Sequence, residues 1–119
     1  MRFMPKVLLV APDSRVAAGV LSCLTDAGMT VTVVDNFDAG CQQLSSLPDL
    51  LISEVRLGDY NGLHLALRAS SLGIPAIILG DDDIVLEREA KMMGAAYLTP
   101  DRNQHGLTAA ARDLYAVAI

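Results

Sequence analysis

Pro48-Asp49-Leu50-Leu51-Ile52-Ser53-Glu54-Val55-Arg56-Leu57-Gly58-Asp59-Tyr60-Asn61-Gly62-Leu63 carries the clearest fold signal in the chain. Leu50, Leu51, Ile52 and Val55 make a nearly continuous apolar run. That is the pattern of a strand covered on both faces, not the alternation of a half-solvated one. The run carries Glu54 at its end and passes into a Gly/Asp/Asn turn. Parallel α/β sheets gather their chemistry at the carboxyl ends of the strands, so an acid in this place is a candidate functional group.

Four more short apolar runs stand at regular intervals along the chain. Strands are expected at Val7–Ala11, Thr30–Val34, Leu50–Glu54, Ala76–Gly80 and Ala95–Leu98. Between the first two, Val16, Val20 and Leu24 recur at helical spacing and Gly28 supplies the stop. A second helix carries Phe37, Cys41 and Leu44 on one face and closes before Pro48. The third runs from Gly62 to about Leu72, the fourth from after Asp81-Asp82-Asp83 to Gly94. The fifth has Leu107, Ala110, Ala111 and Leu114 on one face. Strict βα alternation with short connections implies a parallel sheet covered by helices on both sides. The expected architecture is a flavodoxin-like (βα)5 doubly wound sheet of order 2-1-3-4-5, a single domain over residues 1–119.

The bulk properties narrow the function. At 119 residues, 52% hydrophobic and 19% charged, the chain can bury one core. A net charge of −5 excludes nucleic acid and anionic membrane as partners of this domain, because both require clustered Lys and Arg. No apolar run is long enough to span a bilayer, and the start, Met1 to Lys6, lacks a cleavable signal pattern, so the cytoplasm is the expected compartment. Cys23 and Cys41 are expected as buried thiols, and without suitably spaced histidines they make no zinc site. His64 and His105 have no nucleophile or carboxylate at a recognisable spacing. No glycine-rich phosphate loop opens the first helix.

The whole chain resembles the receiver domains of bacterial response regulators. The resemblance rests on Lys6-Val7-Leu8-Leu9-Val10, the Glu54 segment, Gly62-Leu63, Ile74-Pro75-Ala76-Ile77-Ile78-Leu79 and Gly94-Ala95-Ala96-Tyr97-Leu98, in that order and spacing. It implies a two-component signalling role in which Glu54 stands where the family carries its phosphoacceptor aspartate. The other expected groups are an acidic pair holding Mg²⁺, a Ser or Thr after strand four, an aromatic in strand five and a lysine beyond it. Here the acidic pair is replaced by Ala11 and Pro12, with Asp13 one place late. Mg²⁺ rests on carboxylate oxygens, which neither Ala11 nor Pro12 offers, so the metal site reads as lost and no cofactor is expected. Asp13 also reads as the N-cap of the first helix. Gly80 replaces the hydroxyl, although its backbone N–H remains a donor, and Tyr97 keeps the aromatic position. The lysine-equivalent position is Pro100; the only lysines are Lys6 and Lys91, neither near it, and Arg102 would need a rebuilt loop.

Glu54 then has two readings. It is a permanent mimic of the phosphoryl charge, or a relic in a site that no longer switches; the missing hydroxyl and lysine favour the relic. The expected function is protein–protein recognition without phosphorylation and without enzymatic activity. Partners would be a histidine-kinase relative, an output domain or a second copy, met through helix four, strand five and helix five, including Glu87, Arg88, Lys91, Tyr97 and Arg112. Two rivals remain open. One is a working phosphoacceptor using Glu54 or a nearby acid; the other is a cation or ligand sensor built on Glu54, Asp13 and Asp81.

Overall fold

The computed structural model describes residues 5–99 and residue 109. Five strands form one parallel sheet: β1 (Lys6–Val10), β2 (Thr30–Val34), β3 (Leu50–Glu54), β6 (Ala76–Leu79) and β7 (Ala96–Leu98). The order is β2-β1-β3-β6-β7, which is the expected 2-1-3-4-5 once only the strands of this sheet are counted. Three residues that were expected at strand ends, Ala11, Gly80 and Ala95, fall just outside, and β1 begins one residue earlier.

Four helices lie between the strands: α1 (Ser14–Asp26), α2 (Phe37–Leu44), α3 (Gly62–Ser71) and α4 (Ile84–Met92). Each is started by a side-chain cap, from Asp13, Asn36, Asn61 and Asp83 respectively. Such caps satisfy backbone N–H groups that a helix start would otherwise leave unpaired. The expected fifth helix lies outside the described residues except for Ala109, as do Pro100, Arg102, His105 and Arg112.

The alternation of side chains along β1 sorts the core into two layers. Leu8 and Val10 join Leu51 and Ile78 beneath Leu44 of α2, Leu65, Ala66 and Ala69 of α3, and Ala90 of α4. Val7, Leu9 and Ala11 join Leu50, Ile52 and Ile77 beneath Val20 and Leu24 of α1. Leu50, Leu51, Ile52 and Ser53 are all buried, as a strand covered on both faces requires. Neither cysteine is fully buried; both are half-buried, and Cys41 borders the core, because α2 turns its buried line through Gly40 and Leu44.

The expected turn after β3 is present at Gly58 and Asp59, where it joins a small antiparallel hairpin, β4 (Arg56–Leu57) with β5 (Tyr60–Asn61). It is clamped back on the strand by a hydrogen bond from the Gly62 N–H to the Val55 carbonyl, 2.8 Å. Gly62 is needed there: a Cβ would sit 2.9 Å from Ser53 Oγ and collide with the Glu54 carbonyl. Among the described residues no helix is long and apolar enough to cross a membrane.

Candidate functional site at the carboxyl edge of the sheet

Register fixes the site. Val10 pairs with Ser53, Glu54 with Leu79 and Leu79 with Leu98, so the residues that follow these strands emerge along one edge. Ala11, Glu54 and Gly80 are thereby brought side by side, as expected for strand-end positions of a parallel sheet.

Glu54 is half-buried, and its Oε2 accepts a hydrogen bond from the Asp13 N–H at 3.0 Å. The carboxylate therefore ties the end of β3 to the loop that opens α1. Burial raises its pKa above the ordinary carboxyl value, the Asp13 N–H pulls it down, and the Asp13 charge adds to the rise. Asp13 itself caps α1, its Oδ1 accepting from the N–H groups of Arg15 (2.9 Å) and Val16 (3.4 Å). Ala11 is buried and donates its N–H to the Val34 carbonyl, while Pro12 is exposed. Asp81 extends outward and pairs loosely with Arg56 at 3.6 Å, both side chains being largely exposed. Among the described residues no three His, Cys, Asp or Glu side chains converge in a way that could hold a metal ion.

Gly80 and Tyr97 are in direct contact. A Cβ at position 80 would collide with the Tyr97 hydroxyl and lie 2.7 Å from its ring carbon Cζ. The hydroxyl donates to the Asp81 carbonyl at 2.6 Å, and the ring packs against the core layer beneath α2, α3 and α4. Burial raises the phenol pKa, with the charges of Asp83, Asp81, Glu87 and Asp82 adding to the rise. The sequence gives Tyr97 nothing at Gly80 to follow; the structure has the ring filling the space that the glycine leaves. The backbone donor reserved at Gly80 is also engaged, since its N–H goes to the Leu98 carbonyl at 3.0 Å.

On α4, Glu87 and Lys91 form an i,i+4 ion pair at 3.0 Å, and Arg88 is exposed. What sequence reading missed is the apolar content of the same outward stripe. Ile84, Val85 and Met92 are 70%, 60% and 82% exposed, and helical spacing puts them on one face with Arg88 and Lys91. His64 proves structural: its Nδ1 accepts from the Asn61 N–H at 3.4 Å and completes the cap of α3.

Structural comparison finds many receiver domains. A protein assigned as a response regulator from Chloroflexus aurantiacus J-10-fl matches with a TM-score of 0.87 and 26% identity, over 96% of this chain and 99% of that one. The signal receiver domain of an HD domain-containing protein from Pseudomonas fluorescens Pf-5 matches with a TM-score of 0.88 and 24% identity, over 99% and 91%. A CheY-like response regulator receiver domain protein from Methanospirillum hungatei JF-1 matches with a TM-score of 0.82 and 18% identity, over 98% and 97%. No family model and no curated protein matches the sequence. The chain has the receiver fold of response regulators.

Proposed function

We propose that this receiver-type chain works in two-component signalling by protein recognition that does not depend on phosphorylation. The observation that carries the reading is the seating of the Tyr97 ring over Gly80. An aromatic that reports phosphorylation needs two positions and a group that drives it between them. Here one position is filled, the hydroxyl is tied to the Asp81 carbonyl, and residue 80 has no side chain with which to pull.

The chemistry of the edge supports the same reading. Phosphoryl transfer depends on cations and donors placed around the transferred group. Ala11 and Pro12 bring no carboxylate for Mg²⁺, the Gly80 N–H is spent within the sheet, and Glu54 is engaged with the Asp13 N–H. Glu54 acts as a brace between β3 and the first loop, which favours the relic over the mimic. The contact surface is the outward stripe of α4, where the exposed Ile84, Val85 and Met92 share one face with Arg88 and Lys91. Apolar anchors interleaved with charged side chains suit a selective protein partner.

Nuclear magnetic resonance tests the lock. Adding acetyl phosphate and Mg²⁺ to the labelled protein should leave the ring signals of Tyr97 and the amides of α4 in place. A concerted shift of both would establish a switching receiver instead.

A further inference from the structure

We propose that the exposed aromatic surface around Tyr60 docks an arginine-bearing basic segment of a partner protein. The surface lies on β5, α2 and α3, apart from the α4 stripe, so its failure leaves the preceding reading untouched. Tyr60 stacks on Phe37 with ring centroids 4.4 Å apart and planes 13° from parallel. His64 stands edge-on to both rings at 6.3 Å, and the Arg68 guanidinium lies over the Phe37 ring at 5.9 Å. The rings hold one another, yet Tyr60 remains 52% exposed. A large ring already fixed in place loses little freedom on binding. Stacked rings this close leave no cage between them, so the available surface is the outward side of Tyr60.

Charge selects the occupant. Asp35 and Asp38 flank Phe37 in the chain, Asp59 precedes Tyr60, and all three are exposed. Among the described residues no ion pair joins any of them to a Lys or Arg. The same edge of the sheet carries Asp13, Glu54 and the Asp81-Asp82-Asp83 run against Arg15 and Arg56, and Arg56 is already beside Asp81. A second copy of this edge would be repelled, as would any phosphate-rich surface. A cation is attracted both to the face of an aromatic ring and to the flanking carboxylates. Guanidinium suits the place better than ammonium because it is planar, stacks on rings and forks onto carboxylates. The chain's own Arg68 over Phe37 is an example of that contact within the same cluster.

The test titrates the full 119-residue chain, labelled for amide spectra, with two short synthetic peptides of equal charge, one carrying arginines and one lysines. The arginine peptide should shift the amides of Phe37, Asp59 and Tyr60 first and bind about threefold tighter than the lysine peptide. Tyr60→Ala, with its sheet amides unmoved, should erase that difference, and Tyr60→Phe should keep it. Equal binding of the two peptides, shifts centred on Asp81–Asp83 or on α4, indifference to Tyr60→Ala, or no binding at low salt would each overturn the proposal.

Discussion

The ring of Tyr97 occupies the space that a β-carbon at position 80 would need, and its hydroxyl is fastened to the carbonyl of the next residue, Asp81. Gly80 is thus a seat for the ring as well as a position without a hydroxyl. Gly80→Ala should push the ring out and cost about 1–3 kcal/mol, the usual range for overpacking. Adding Tyr97→Ala should recover part of that cost, because the two sites share one contact. Urea unfolding of the two single variants and the double variant measures it. Strict additivity would mean the ring does not depend on the glycine.

Tyr97→Phe keeps the ring and loses the bond to Asp81. It should cost about 1 kcal/mol at neutral pH, typical of one hydrogen bond. The pH sign follows from the raised phenol pKa in the folded protein. The unfolded phenol ionises first as pH rises, so the native protein should lose stability through the alkaline phenol range. Tyr97→Phe should lack that component; an identical alkaline profile in both proteins would contradict it.

Glu54→Gln removes charge at nearly constant size. The folded pKa of Glu54 is raised above 4.5, so the folded state holds the proton more tightly than the unfolded state. Its contribution is fully present below the unfolded value and is lost as pH rises through the folded one. The wild-type protein should therefore gain stability relative to Glu54→Gln on acidification through that window. The Tyr97 environment and the oligomeric state should match in the two proteins, because the carboxylate is bonded to Asp13. Loss of a dimer, or a moved Tyr97 ring, would identify Glu54 as a phosphorylation mimic.

Asp13→Ala removes the acceptor for two N–H groups at the start of α1. A cost of about 1 kcal/mol is expected from the lost cap. Thermal unfolding against Asp13→Asn, which keeps an acceptor, checks it, and equal losses would place the effect in charge instead of capping.

Where local pattern determines structure, the sequence was readable. The buried run at Leu50–Ile52 and the helical spacing of Val16, Val20 and Leu24 give the alternation and, through it, the edge on which Glu54 and Gly80 meet. The hairpin at Arg56–Asn61 escaped because two-residue strands carry no measurable alternation. The contacts of Tyr97 with Gly80, of Phe37 with Tyr60 and of Glu54 with Asp13 join residues far apart in the chain. Only the register of the sheet and the packing of α2 beside α3 bring them together. The apolar part of the α4 stripe was hidden for a different reason: spacing alone does not say which face of a short helix the core covers, and Ile84, Val85 and Met92 prove exposed.

Whether the site takes up a phosphoryl group is read from the intact mass of the wild-type chain and of Glu54→Asp after incubation with acetyl phosphate or phosphoramidate and Mg²⁺. Both masses should stay unchanged, because restoring the acceptor does not supply the carboxylates missing at Ala11 and Pro12 or a side chain at Gly80. A hydroxylamine-sensitive gain of one phosphoryl group on either protein would contradict the account.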